Sequence, residues 1–294
     1  MTLYIFSFII IYSIIIMVII LKKKKKISIS TIILIIILIV LLSTIMISGL
    51  NILLWIKDNS KTSKTMKEIE NISNVLEKED TKDTELINKP LDTNDDYWYY
   101  TTFPLIDVDL EELKKKNSDT VGWINVNNTN INYPYVHYTD NDYYLHHSFD
   151  KNKNDAGWVF LDYRNNKELS DKNNIIYGHH RANNTMFASL LNALSYNWYT
   201  NKDNHIIRIS TDSENTSWQI ISVYKIPAES YYITVDFNSD EEYSEFLDTI
   251  TKRSIHNFNT EITTNDKILT LSTCYNDDIR MVVHAKLIKK EKKN

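Results

Sequence analysis

Three residues with reactive side chains, Cys274, His179 and Arg280, together supply the parts of an acyl-transfer site. Cys274 is the only cysteine of the 294-residue chain, His179 directly follows the turn residue Gly178, and Arg280 lies a few residues after the cysteine. A thiolate is a strong nucleophile, an imidazole can protonate a leaving amine, and a guanidinium can stabilise a nearby anion. Each residue alone is more often structural, so the prediction of nucleophilic acyl transfer depends on their joint occurrence.

Short runs of strand-forming residues dominate the part of the chain that carries these side chains. Eight runs are rich in Val, Ile, Tyr, Trp and Thr, and they span residues 121–126, 131–136, 158–163, 174–177, 205–210, 217–224, 267–273 and 281–288. This number of short strands between polar turns predicts a mostly β barrel or sandwich.

Fewer segments have the pattern of a helix. We expect helices over residues 109–117, 186–193 and 240–253. In the last of these, Tyr243, Phe246, Leu247 and Ile250 recur at the spacing of one buried helix face, and Ser239 is a suitable N-cap.

The N-terminus contains two long apolar stretches without charges. Residues 3–21 and 27–56 are separated by the five lysines 22–26, and each stretch is long enough to span a membrane. Short lysine-rich loops stay on the cytoplasmic side, so residues 1–57 are predicted to form a transmembrane hairpin with both ends outside. A cleaved signal peptide is the alternative for residues 3–21, although the lysines follow the apolar run instead of preceding it.

The rest of the chain is predicted to be extracytoplasmic. Residues 58–96 are polar and suggest a solvated stalk, whereas residues 97–294 are long enough for one globular domain. After Lys57 the chain carries 27 of its 33 Lys and Arg residues and all 38 Asp and Glu residues, a net charge of −11. This charge argues against nucleic acid as a partner. One cysteine allows no internal disulfide, and no His or carboxylate cluster has metal-site spacing, so we expect neither metal nor cofactor.

Six local motifs occur in an order that resembles the class B sortases. They are Gly-Trp-Ile at 122–124 with Thr-Asn-Ile-Asn-Tyr-Pro at 129–134, Asp-Asn-Asp-Tyr-Tyr-Leu at 140–145, the segment 156–164, Ile-Tyr-Gly-His at 176–179, Thr-Met-Phe at 185–187, and Thr-Leu-Ser-Thr-Cys at 270–274 continuing to 280–283. The resemblance implies an eight-stranded β-barrel with added helices, one of them between the sixth and seventh strands at 240–253. It also implies an enzyme that cuts a sorting signal near the C-terminus of secreted proteins and joins the new carboxyl end to a cell-wall amine.

The resemblance also implies a role for each site residue. Cys274 would attack the carbonyl of a Thr in the signal, His179 would protonate the leaving amine, and Arg280 would hold the substrate or the oxyanion. An amine of a peptidoglycan precursor would then open the thioester. The substrate-binding residues implied by the family pattern are Asn141, Leu145, Ser272, Tyr231 and Tyr232.

Two other functions remain as alternatives to acyl transfer by a sortase, and the sequence differs from the family pattern in two places. The alternatives are a secreted cysteine peptidase, whose acyl-enzyme is released to water, and a catalytically silent β-barrel scaffold. The first departure is the short loop 275–279, where family members often carry a longer insertion with an acidic residue. The second is the predicted hairpin, because one N-terminal anchor is the usual arrangement.

Overall fold

A long apolar helix opens the described part of the chain. The computed structural model describes Tyr12, Ile19 and residues 28–274 and 278–293, with the backbone alone at Cys274, and it divides the chain into two units, 1–61 and 62–294. Helix α1 (Ile29–Ile72) is the one helix among these residues long and apolar enough to cross a membrane, by length and composition. The other predicted span, 3–21, and the lysines 22–26 lie outside the described residues except for Tyr12 and Ile19, so the hairpin stays a prediction.

Most of the expected polar stalk 58–96, from Thr62 onward, is instead part of the second unit. After α1 come β1 (Val75–Lys78), β2 (Glu85–Leu86), α2 (Tyr97–Tyr100), β3 (Leu105–Val108) and α3 (Glu111–Lys116). Strands β1 and β3 pair antiparallel, and the buried Thr62, Thr65 and Ile69 share one face of α1. The structure differs from the expected stalk because these pairings and contacts join segments far apart in sequence, which local composition does not reveal.

Eight strands close into a barrel. They are β4 (Thr120–Val126), β5 (Asn132–His137), β6 (Phe160–Leu161), β7 (Asn173–Tyr177), β8 (Ile206–Thr211), β9 (Glu214–Pro227), β10 (Ile268–Cys274) and β11 (Ile279–Lys292). The spatial order is β10-β7-β6-β5-β4-β8-β9-β11, and β11 also pairs with β10, which closes the sheet on itself. Strand β2 pairs antiparallel with β11 at Lys289 and Lys290, near the end of that strand. The eight-stranded barrel was predicted.

The two larger of three apolar clusters among the described residues lie on the two faces of the barrel sheet. The barrel interior contains large buried side chains such as Trp123, Trp158 and Leu271. A second cluster lies on the other face of β10 and β11, where Ile268 and Val282 pack against α5 (Asp240–Lys252). Short helix α4 (Tyr196–Tyr199) precedes β8. The predicted segment 186–193 is a 3-10 helix, Ala188–Leu194.

Helix α5 has the buried face and the N-cap that its sequence predicts. Its buried residues are Tyr243, Phe246, Leu247 and Ile250. The hydroxyl of Ser239 accepts a hydrogen bond from the Glu242 backbone N–H at 3.2 Å. The helix lies between the sixth and seventh barrel strands, β9 and β10, as the family resemblance implied.

Candidate active site

The backbone register brings the three reactive positions to one end of neighbouring strands. Strands β7 and β10 are parallel, with Ser272 opposite Tyr177, and the Gly178 N–H donates to the Ser272 carbonyl at 3.2 Å. Continuing this register for two residues brings Cys274 level with His179. On its other side, Cys274 is the antiparallel partner of Arg280 in β11.

Alternation along β10 determines which face of the barrel carries the site. Leu269 and Leu271 point into the barrel core, whereas Ile268 packs with α5 on the outside. Since successive residues of a strand face opposite sides, Ser272 belongs to the outer face. The register position of Cys274, two residues further on, belongs to that same series.

A cleft of about 820 Å³ lies on this outer face. Its lining contains every predicted site residue except Cys274, whose side chain is not described. The lining residues are Asn141, Leu145, Phe160, Tyr177, Gly178, His179, Ala228, Glu229, Ser230, Tyr231, Tyr232, Ile233, Ser272, Thr273 and Arg280. Two walls of the cleft contain predicted substrate-binding residues. The Leu145 wall is the segment 141–145, which ends in the 3-10 turn Tyr143–Leu145, and the Tyr231–Ile233 wall is the 3-10 turn of those residues.

His179 is held in one tautomer by the wall of the cleft. Its Nε2 lies 2.8 Å from the Leu145 carbonyl oxygen, which can only accept a hydrogen bond. Nε2 therefore carries the proton, and in the neutral ring Nδ1 is left as the basic nitrogen. Burial lowers the pKa of His179, the Leu145 carbonyl opposes that shift, and the nearby Arg181 adds to it. The imidazole is consequently neutral at pH 7.

Gly157 provides the space that His179 occupies. Its φ is +60°, and a Cβ at this position would lie 2.6 Å from Cδ2 of His179 and 2.9 Å from the Leu145 carbonyl oxygen. Turn geometry alone would be a sufficient reason for a glycine just before a strand. The structure adds a packing requirement, since any side chain here would press on the imidazole and on its hydrogen-bond acceptor.

The neighbouring His180 has a different environment. It forms an isolated antiparallel bridge with Met186, while the His179 carbonyl accepts from the Phe187 N–H at 2.9 Å. His180 is not among the residues that line the described cleft. Of the two histidines, His179 is the one that faces the cleft.

A directed chain of buried hydrogen bonds anchors the Tyr231 wall. The Tyr231 hydroxyl donates to the Tyr224 hydroxyl at 2.8 Å, and Tyr224 in turn contacts Nε2 of His284 at 2.8 Å. Nδ1 of His284 lies 2.8 Å from the Thr270 hydroxyl, which donates to Asn173 Oδ1 at 2.6 Å. In this arrangement His284 accepts at Nε2 and donates at Nδ1, so the ring is neutral, and burial lowers its pKa to about 3.

Three of the predicted substrate-binding residues also make contacts within the protein. The Ser272 and Tyr232 hydroxyls are 3.2 Å apart, and this contact joins β10 to the Tyr231–Ile233 turn. Asn141 donates from Nδ2 to Asp162 at 3.0 Å and accepts from the Tyr163 N–H at 3.0 Å. One N–H of the Asn141 amide remains for another acceptor.

The sequence missed several residues that line the cleft. Phe160, Tyr177, Glu229 and Thr273 belong to this group. Tyr177 could have been found, because it lies two residues before His179 and alternation gives both the same face. The other three depend on the path of loops and on which strands become neighbours.

Comparison with known proteins agrees with this geometry. The family model of the sortase domain matches residues 124–288. This chain belongs to the sortase family. It is 37% identical over 190 residues to sortase B of Listeria monocytogenes, covering 62% of this chain and 75% of the relative. It is also 37% identical over 184 residues to sortase B of Staphylococcus aureus, covering 61% and 75%.

Solved sortase structures share the barrel. The sortase B of Bacillus anthracis in complex with AAEK1 matches with a TM-score of 0.64 and 32% identity over 80% of this chain and 99% of that one. A Staphylococcus aureus sortase B–substrate complex matches with a TM-score of 0.57 and 37% identity over 61% and 84%. The predicted family, barrel and cysteine transpeptidase activity are confirmed, and the relatives favour neither a peptidase nor a silent scaffold.

Proposed function

We propose that the cleft binds the sorting signal of a secreted protein and that Cys274 is the nucleophile that cuts it. The observation that supports this proposal is the register of three strands: Cys274 pairs with Arg280, and the register of β7 and β10, continued by two residues, brings Cys274 level with the cleft residue His179. A signal peptide seated between the Leu145 wall and the Tyr231–Ile233 wall would reach all three positions.

The proposed chemistry uses the tautomer of His179. Nδ1 of His179 takes the thiol proton of Cys274, and the thiolate attacks the carbonyl of a Thr in the signal. Arg280 stabilises the negative charge on the oxygen of the tetrahedral intermediate. When the intermediate collapses, the imidazolium returns the proton to the leaving amine and a thioester remains. An incoming amine then attacks the thioester and transfers its own proton to His179. The new amide bond forms as the bond to Cys274 breaks, and the released thiolate takes the proton back from the imidazolium.

The proposed substrate contacts follow from the chemistry of the walls. The rings of Tyr231 and Tyr232 and the side chain of Leu145 offer apolar surface to a peptide, while Asn141 and Ser272 offer hydrogen-bonding groups. A short extended peptide of the Asn-Pro-x-Thr type has both the apolar ring and the polar groups that this lining would complement.

The acceptor and the location are proposed together. We infer that the acceptor is an amine of a peptidoglycan precursor, that α1 anchors the protein in the membrane, and that the chain after Asp58 is extracytoplasmic. The uncharged stretch of α1 and the lysines before it support this orientation. The negative net charge of the part after Lys57 argues against nucleic acid as a partner.

Mass spectrometry of the full chain in detergent micelles tests the chemistry. With an Asn-Pro-x-Thr peptide, the wild-type chain is expected to gain the mass of the acyl group, and an added amine is expected to remove that mass as a ligated product. Cys274→Ala is expected to be inert. Full activity of Cys274→Ala would exclude the proposed nucleophile. Hydrolysis that added amine does not divert would support a peptidase instead.

Labelling in intact cells tests the topology. In a Cys274→Ala background, a membrane-impermeant thiol reagent is expected to modify Ser60→Cys and to miss Lys24→Cys. The matched control is the same pair of variants after permeabilisation, when both sites are expected to react. Modification of Lys24→Cys without permeabilisation would exclude a cytoplasmic lysine loop.

A further inference from the structure

A buried carboxylate lies behind the cleft and receives hydrogen bonds from several elements. Asp162 is fully buried. It accepts from Asn141 Nδ2 at 3.0 Å and from the Tyr177 hydroxyl at 2.9 Å, and both donors are cleft residues. Arg164 binds the same carboxylate in a fork, through Nε at 2.8 Å and Nη2 at 2.7 Å.

Arg164 extends this network to the Tyr231–Ile233 wall. Its Nη2 also donates to the Ile233 carbonyl at 2.9 Å, and Ile233 ends the 3-10 turn that forms that wall. The Asp162–Arg164 pair therefore joins three parts of the site: the Leu145 wall through Asn141, strand β7 that leads to His179, and the Tyr231–Ile233 wall. Neither Asp162 nor Arg164 is among the residues that line the cleft.

The pair is suited to fixing a distance. A planar guanidinium that binds both oxygens of one carboxylate holds a defined geometry, which an ammonium cannot reproduce. Burial acts to raise the pKa of Asp162, but the hydrogen bonds from Arg164 and Tyr177 outweigh burial, so this pKa lies below its usual range. The carboxylate is ionised at neutral pH and can accept from all of its donors.

We propose that Asp162, acting through Arg164, is a positioning residue that sets the spacing between the two walls of the cleft and thereby the affinity for the sorting signal. This role rests on the proposed function of the cleft. The register of Cys274, Arg280 and His179 is made by the backbone ladders of β7, β10 and β11, in which the side chain of Asp162 takes no part. Loss of the pair should consequently weaken peptide binding more than it slows the chemical step.

Kinetics of the full chain in detergent micelles test this separation. Asp162→Asn keeps the shape of the side chain but removes its charge, and Arg164→Lys keeps the charge but removes the fork. Each variant is expected to raise the KM for an Asn-Pro-x-Thr peptide about tenfold or more, the scale of a lost hydrogen bond to a charged group. The kcat is expected to stay within about threefold, because the strand register that positions the reacting groups is intact.

The matched control is a second arginine that bridges distant segments, Arg208. Arg208 pairs with Glu77 and Asn125, and none of these residues lines the cleft. Arg208→Lys is expected to lower the thermal midpoint while leaving KM unchanged. A result in which Arg164→Lys resembles Arg208→Lys, with lower stability and an unchanged KM, would overturn the positioning role.

The two proposals fail in different ways. If the wild-type chain neither binds nor acylates with the peptide, the proposed function fails, whatever the variants do. If the wild type is active and both variants keep its KM, the positioning role alone fails. Should Asp162→Asn not fold, Arg164→Lys decides, because Arg164 is about a third exposed, with 35% of its side chain accessible.

Discussion

Gly157→Ala is expected to damage the site through His179, although residue 157 carries no chemistry. The added Cβ would lie 2.6 Å from Cδ2 of His179, 2.6 Å from the Tyr144 carbonyl oxygen and 2.9 Å from the Leu145 carbonyl oxygen. Two of these three neighbours are backbone atoms, which yield less readily than the end of a flexible side chain. The imidazole is the group that must move.

The size of the effect follows from these distances. Ordinary contact between carbon atoms needs about 3.5 Å, so the ring has to shift by roughly 1 Å. A displacement of that size at a catalytic group can cost about 100-fold in rate. The left-handed φ of +60° adds about 1 kcal/mol of backbone strain for alanine, and overpacking adds about 1–3 kcal/mol.

Transpeptidation kinetics and thermal unfolding of purified Gly157→Ala measure both effects. We expect kcat/KM to fall about 10- to 100-fold and the thermal midpoint to decrease. Gly122→Ala is the matched control, because its Cβ would meet the buried Tyr135 ring at 2.5 Å, away from the cleft. It should lose stability and keep its kcat/KM. Wild-type activity in a folded Gly157→Ala variant would refute the reasoning that this glycine leaves the space that the proposed catalytic imidazole of His179 needs.

Three further predictions concern histidines and a helix cap. His179→Ala is expected to lose about 100-fold or more in transpeptidation rate, whereas His180→Ala changes it slightly; the reverse order would reassign the general acid. Burial lowers the pKa of His205 to about 4 and that of His284 to about 3. Below pH 6.5 these histidines therefore bind protons in the unfolded chain but stay neutral in the folded chain. As the pH falls, the free energy of unfolding should decrease by up to about 1.4 kcal/mol per pH unit for each histidine. A thermal midpoint that stays constant from pH 7 to pH 5 would contradict this, and His284→Gln should flatten the slope. Ser239→Ala should lower the free energy of unfolding, measured by chemical denaturation, by about 1 kcal/mol because the hydroxyl cap is lost. The control Asn238→Ala keeps the Ser239 hydroxyl and should not reproduce this loss of the cap.

Local sequence patterns predicted the strands well because each strand carries its own β-forming residues. The run 174–177 became Asn173–Tyr177, and the run 267–273 became Ile268–Cys274. The run 158–163 is longer than the strand it forms, because only Phe160–Leu161 is a strand. The Trp158 indole instead donates to the Pro134 carbonyl at 2.8 Å, so that residue serves the barrel core before the strand begins.

The N-terminal polar segment shows what local pattern cannot supply. Lys289 is completely buried in β11, where its ammonium group donates to Asp80 at 2.6 Å and to the carbonyl oxygens of Thr101 and Phe103. A buried lysine is favourable only where such partners surround it. Since Asp80 reads as an ordinary charged residue in a polar stretch, its packing against the last strand depends on a partner about two hundred residues away.

The residues of the candidate site also fall into two groups, those that local sequence identifies and those whose role depends on distant partners. Cys274, His179 and Arg280 could be proposed as the reacting groups from the sequence because their types limit the chemistry and each lies in a recognisable motif. The groups that hold them or shape the cleft could not, since Gly157 meets His179 only after the chain has closed a loop, and Asp162 meets Asn141 and Tyr177 across three separate segments. A residue that reacts is constrained by its own chemistry, whereas a residue that positions is constrained by its neighbours. Variants at Gly157 and Asp162 therefore test the fold of the site, while variants at Cys274 test its chemistry.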